Sequence, residues 1–304
     1  YDIAQGLPLT EPDPKWAGRP LRGAALAVRA RLLLLAASPL YNSPDGYRGL
    51  EQFDVLQNKD GKRLFPQSYD ETKWKRAADA AKEVINLNIY SLHKTASPTG
   101  DEKVDAFNSY REVFTKPGNK EVIFAFSCLT EDGSSIKISN QFYSYNHPNK
   151  GSYNYRPAGD VMTMYADNDL RKEVSITTLD NLNFVNKYPS GQTGSDPVVI
   201  SRLAEMYLIS AEAQGLNGGL KRLNELREKR GLDWVSPGNE ADFLDAVLQE
   251  RRLEFLAEGF RWYDLVRTGK ATQTLGTKDY QCLMPLPSRE LLYNPNLKPN
   301  NPGY

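Results

Sequence analysis

Between Asn239 and Gly269 carboxylates recur at a regular interval: Glu250, Glu254 and Glu258 stand four apart, so they share one face of a helix, and Asp264 follows. A row of carboxylates is what an acid–base hydrolase or a metal site needs. Here, however, Arg251, Arg252, Arg261 and Arg267 lie among them, no Lys occurs before Lys270, and neither His is close in sequence. Arginine pairs with carboxylates through a planar fork that tolerates partial burial. The stretch therefore reads as a structural ion-pair lattice on a buried helix.

A second constellation has a different chemistry. In Gln141–Tyr155, the aromatic residues Phe142, Tyr143, Tyr145, Tyr153 and Tyr155 surround Asn146, Asn149 and Asn154, and Arg156 follows. Exposed aromatic faces stack on the C–H faces of sugar rings, while amides and guanidinium groups bond the hydroxyls. The alternation of Phe142 and Ser144 with Tyr143 and Tyr145 equally fits a hairpin with one face in the core. Both readings stand at this level. The candidate ligand-binding set is Phe142, Tyr143, Tyr145, Asn146, Tyr153, Tyr155 and Arg156.

The remaining inventory is sparse. There is no phosphate-binding loop, dinucleotide fingerprint, nucleophile elbow or HExxH zinc motif. Two histidines, His93 and His147, and two cysteines, Cys128 and Cys282, form no metal-like or catalytic spacing. Asp167, Asn168 and Asp169 lack the turn Gly and closing Glu of a calcium loop and read as a turn. No catalytic residue, metal or cofactor is expected, although no motif excludes a glycosidase pair among 38 acidic residues.

The elements that must position these residues are mainly helical. Asn239 can cap the start of a single long helix over 239–269, apolar around much of its circumference, with Arg267 and Gly269 at its end. Gly259 in its middle costs about 1 kcal/mol against Ala, which suggests that something approaches its backbone closely. Leu21–Ser38 is an Ala/Leu-rich helix, paired with Glu71–Leu87, where Trp74, Ala77, Ala78, Ala81, Val84 and Ile85 fall at helical spacing. A second pair is expected at Val198–Gln214 and Gly219–Arg230, with Asn217-Gly218-Gly219 as its turn. Between the pairs, residues 96–197 read as a loop-rich insert with short strands such as Glu121–Phe126. The Pro-rich first 20 residues read as an extended lead-in.

Several of these pieces resemble the SusD/RagB family, the cell-surface nutrient-binding lipoproteins of Bacteroidetes. Glu250-Arg251-Arg252-Leu253-Glu254 followed by Glu258–Leu265 is similar to that family's signature helix, with Phe260 where a His often stands. Met284-Pro285-Leu286-Pro287, Asn294–Leu297 and Asn301–Tyr304 resemble its usual ending. Shorter matches run in order through Gly23–Tyr41, Asn119–Ile123, Asp169–Arg171, Arg202–Met206 and Ala211–Ala213. The resemblance implies a mostly α fold of tetratricopeptide-like helix pairs with a loop-rich insert containing short β-strands. It implies one SusD-like domain over 1–304, divided as 21–95, 96–197 and 198–304. Relatives begin with a signal, a lipidated Cys and further helices, so this chain is expected to be a fragment corresponding to their C-terminal part.

By the same resemblance the function is capture of a glycan at the outer-membrane surface for import through a SusC-like TonB-dependent transporter. Membrane attachment would run only through an N-terminal lipid anchor that this chain lacks. Peptide capture, as in RagB-like members, is the rival within the family. A glycoside hydrolase and a protein-binding helical scaffold are the rivals outside it.

Composition supports a soluble globular reading. Hydrophobic residues make up 40% and charged residues 25% of 304, with a formal net charge of zero, which disfavours a nucleic-acid or anionic-membrane binder. The apolar run Ala24–Ala37 contains Arg29 and Arg31 and is too short for the roughly 20 residues that span a bilayer. Tyr, at 17 against 4 Trp and 11 Phe, favours a polar-aromatic recognition surface.

Overall fold

The computed structural model describes residues 1–13, 18–43, 60–61, 66, 68–116, 118–126, 156–188, 198–282, 284–301 and 303–304. Helices α1 (Asp2–Gly6), α2 (Arg22–Ala37), α3 (Thr72–Asn86) and α4 (Glu102–Thr115) precede strand β1 (Val122–Phe126). Short helices α5 (Val161–Met164) and α6 (Arg171–Ser175) lead to strands β2 (Ile176–Leu179) and β3 (Leu182–Val185). Strand β4 (Val198–Arg202) runs directly into α7 (Leu203–Lys229), followed by α8 (Glu240–Glu254), α9 (Arg261–Arg267), α10 (Ala271–Leu275) and α11 (Ser288–Tyr293). The fold is mostly α with a few short strands, as expected. The chain divides into two compact units, Tyr1–Ala36 with Glu71–Phe260 and Ala37–Asp70 with Arg261–Tyr304.

In the first unit, α3 buries Ala77, Ala78, Ala80, Ala81 and Val84. Such a small-residue face lets a neighbour approach closely, and α3 lies against α7, which in turn packs on α8. Leu26, Ala30 and Leu34 of α2 join the same core as Met206, Ile209, Leu223, Phe243 and Val247. Arg29 of α2 reaches Glu83 of α3 at 2.9 Å. At Gly23 a methyl group would overlap the Tyr90 hydroxyl, so this contact requires glycine.

The second expected helix pair is present, with shifted limits. Residues 198–202 are strand rather than helix, because β4 pairs antiparallel with β1 in a register that sets Val122 opposite Arg202 and Phe126 opposite Val198. The break comes at Gly215, not at Asn217–Gly219: Gly215 has φ 64° and ψ −173°, outside the helical region. Both carboxylate oxygens of Glu240 then accept from Leu216 N–H, at 3.1 and 2.9 Å, supplying the acceptor that the interrupted helix lacks. Gly219 stands against the carbonyl of Ala211, where a side chain would clash.

The insert holds more helix than expected. Asp101 caps α4 by accepting from the N–H groups of Lys103 and Val104. Strands β2 and β3 form a hairpin whose turn residues, Asp180 and Asn181, both have positive φ, the backbone of a two-residue primed turn.

The helix expected over 239–269 is two helices. Asn239 does cap α8, accepting from Asp242 N–H. The helix ends at Glu254, Ala257 and Gly259 adopt φ of 63° and 84°, and α9 starts at Arg261. No atom lies within 4 Å of where a Gly259 side chain would begin. The glycine is therefore explained by its backbone conformation and not by a close approach.

In the second unit, Arg267 donates to Asp264 at 2.9 Å and to the Ser38 hydroxyl at 3.0 Å, and its carbonyl accepts from Leu40 N–H. The tail is held by side-chain amides: Asn300 bonds both backbone groups of Leu286, and Asn301 donates to the Met284 carbonyl at 2.6 Å.

Candidate functional site

Four residues apart on α8, Glu250 and Glu254 share a face, and Glu258 follows in the turn after it. The cations that meet them come from other parts of the chain. Arg202, the last residue of β4, donates to Glu254 at 2.6 Å, to Glu121 at 3.0 Å and to both oxygens of Glu258 at 2.9 Å. Arg230, just past α7, reaches Glu121 at 2.6 Å and Glu254 at 2.7 Å. Arg171, at the start of α6, bonds Asp169 and Glu254 at 2.8 Å and also pairs with Glu250. Lys187 donates to Glu258 at 2.9 Å, and Arg227 closes the edge on Glu250 at 2.7 Å. The five cations balance the five carboxylates. Apart from the Arg227 rim, every side chain is close to fully buried.

Burial alone raises a carboxyl's pKa; around Glu254 the charges of Arg230, Arg202 and Arg171 more than reverse this and hold it well below the usual range. Glu258 is lowered in the same way, against its own burial, by Arg202 and Lys187. Lys187 is lowered too, to about 8, because burial disfavours its charged form and it shares its carboxylate with Arg202. Carboxylates held ionised and sealed from solvent are poor proton donors. The arrangement is a structural lattice, with partners other than those expected from the helix itself. Arg252 instead meets Asp160 at 2.7 Å at the surface, and Arg267 serves Asp264.

The segments that resemble the SusD/RagB family converge here: Asn119–Ile123 supplies Glu121, Asp169–Arg171 supplies an ion pair, and Arg202–Met206 supplies Arg202. Glu205, in that last piece, pairs with Arg31 at 2.6 Å. Lys187 and Arg230 carried no signal of their own in the sequence.

The lattice also anchors a strand pair. Glu121 and Arg202 anchor the inner ends of β1 and β4, and the paired outer ends are Phe126 and Val198. Residue 127 follows Phe126, which is 55% exposed and packs edge-on to Phe124 at 5.1 Å. Phe142, Tyr143, Tyr145, Asn146, Tyr153 and Tyr155 lie outside the described residues. Arg156, the described member of the set, places its guanidinium 5.9 Å from the centre of the buried Phe184 ring.

Among the described residues no grouping of three or more His, Cys, Asp or Glu is placed to hold a metal ion, and no helix is long and apolar enough to cross a membrane. His93 is engaged with Glu112 at 2.7 Å, and Glu112 also accepts from the Thr95 hydroxyl.

The architecture is that of the SusD-like proteins. The chain matches the sequence model of the SusD family over residues 177–282. It is 41% identical over 123 residues to SusD-like protein P38 of Formosa agariphila, a match covering 34% of this chain and 24% of that protein. The matched stretch thus spans about a quarter of that relative's length. Among solved structures, surface glycan-binding protein A from Bacteroides thetaiotaomicron superposes with a TM-score of 0.69 at 19% identity, over 99% of this chain and 67% of that one. A laminarin-binding SusD-like protein gives 0.65 at 21% identity, over 100% and 67%.

Proposed function

We propose that this chain is the frame and part of the recognition surface of a glycan-binding protein, working at the outer-membrane surface and handing its ligand to a SusC-like TonB-dependent transporter. The observation that carries this reading is the SusD-like fold, shared with two structures named for glycan and laminarin binding. Its buried lattice pins β1, the strand that the Tyr- and Asn-rich stretch follows in sequence. The role is capture and not turnover, since the clustered carboxylates are held ionised by buried cations. The ligand surface centres on Phe142, Tyr143, Tyr145, Asn146, Tyr153, Tyr155 and Arg156. Rigid aromatic faces with few torsions to order suit a wet sugar site.

A glycan array probed with the full-length protein, followed by calorimetry on the hits, tests the reading. Reversible binding, with a dissociation constant of roughly micromolar to millimolar and intact ligand recovered afterwards, is expected. Binding of peptides alone, or release of reducing ends, would overturn it.

A further inference from the structure

A cleft of about 250 Å³ is lined by Ser91, His93, Lys94, Lys116, Gly118, Asn119 and Lys120. Three of its seven lining residues are lysines and none is acidic, in a chain of formal net charge zero. All three lysines are exposed. A carboxylate beside it, Glu112, is already occupied: it takes His93 at 2.7 Å and the Thr95 hydroxyl at 2.9 Å, and it stands 3.7 Å from the Lys116 ammonium. Lys94 also lies near enough to the half-buried Asp105 to favour that carboxylate's ionised form, after the backbone bond from Thr99.

The walls are built, not incidental. Asn119 donates to the carbonyls of Val113 and Lys116 and accepts from the N–H groups of Glu121 and Val122, which fixes the loop between α4 and β1. The opposite wall is joined to it where Ser91 N–H meets the Lys120 carbonyl at 3.0 Å and His93 N–H meets Glu121 at 2.9 Å. Glu121 belongs to the buried lattice, so the wall that carries Lys120 is continuous with that lattice.

We propose that this cleft is an anion subsite, receiving a carboxylate or sulfate group carried by a saccharide. The inference rests on the glycan-binding reading and deepens it from glycans in general to charged ones. Ammonium groups meet anionic oxygens as point charges without a fixed fork, so three flexible lysines around a cleft accommodate a carboxylate or a sulfate ester alike. Attraction between exposed charges weakens with ionic strength, whereas stacking on Tyr does not.

The test uses three probes on the full-length protein: a chondroitin sulfate tetrasaccharide, the same tetrasaccharide chemically desulfated, and neutral laminaritetraose. Amide signals of Gly118 and Asn119 are followed by NMR alongside calorimetry. We expect one or both charged probes to shift those amides. Their affinity should fall about tenfold or more in the Lys94→Ala/Lys116→Ala/Lys120→Ala variant, and similarly between about 50 and 500 mM salt. Loss of binding on desulfation identifies sulfate as the group held, and its retention identifies the uronate. The three lysines are exposed, and melting of the variant checks that it still folds. Charged probes that leave Gly118 and Asn119 unmoved, or bind wild type and variant alike, overturn the anion subsite. If laminaritetraose or another neutral glycan still binds in that case, the glycan reading survives; if no saccharide of either kind binds, both fail.

Discussion

Arg202 and Glu254 are joined twice: Nη1 of the arginine donates to the carboxylate at 2.6 Å, and Nη2 donates to the carbonyl of the same glutamate at 2.9 Å. One guanidinium thereby neutralises a buried charge and joins Lys187 and the Tyr110 hydroxyl in bonding the carbonyl at the end of α8, while its own backbone closes β4. Glu254 receives Arg171 and Arg230 as well.

Removing that carboxylate should therefore be costly. Glu254→Ala leaves three arginines facing one another in a dry place, and a loss of about 3–5 kcal/mol is expected from urea unfolding. Arg252→Ala is the control: its partner Asp160 is 61% exposed, and the loss should stay within about 1 kcal/mol. Similar losses for the two variants would mean that the lattice is solvated.

The pH dependence has two limbs of opposite origin. Glu254 and Glu258 titrate lower in the fold than their usual value of 4.5 in the unfolded chain. Their contribution is complete above that value and is lost as pH falls through the folded values. Lys187 titrates at about 8 in the fold against 10.5 when unfolded, so between those values the unfolded chain holds the extra proton and stability rises with pH. The slope is at most on the order of 1 kcal/mol per pH unit. Above the usual phenol value of 10, the buried Tyr110, Tyr165 and Tyr188, all shifted upward by burial, act in the opposite sense. Urea midpoints at about pH 8 and about pH 9.5 should rise for wild type, and the Lys187→Met variant should lack that rise. A wild-type midpoint that falls over this range would contradict the assignment.

Glycine substitutions separate conformation from contact. Gly259→Ala should cost about 1–2 kcal/mol, since its φ of 84° is strained for any side chain while the space around it is open. Gly219→Ala should cost more, because the added methyl meets the Ala211 backbone. Thermal unfolding of both decides, and a stabilising Gly259→Ala would imply an unbroken helix through that position.

At the proposed ligand surface, Tyr145→Ala or Tyr153→Ala should weaken glycan binding by roughly 1–2 kcal/mol and leave the melting temperature nearly unchanged. A loss of about 3–5 kcal/mol of stability with affinity retained would instead assign these residues to a core hairpin.

Local signals in the sequence were read well where one element decides its own structure. The alanine spacing in α3 and the Asn239 cap of α8 are such cases. They mislead where pattern and backbone disagree. Apolar spacing runs on through 255–266, so nothing periodic marks the positive φ at Ala257 and Gly259 that ends α8. Val198–Arg202 is a short apolar run, for which helix and strand cannot be told apart until β1 is seen to pair with it. The lattice shows the same divide. That Glu250, Glu254 and Glu258 are structural followed from the arginines around them, but their partners Arg171, Arg202 and Arg230 are fixed by tertiary packing, which spacing does not encode.

The contacts of Glu254 also bear on how the first unit assembles. Its three arginines come from positions 171, 202 and 230, and Glu121 shares two of them. A chain with only some of these segments in place would hold a naked charge inside an apolar interior, which is worse than holding none. Partly built forms are thereby penalised, and the unit is expected to gain or lose its structure in one cooperative step.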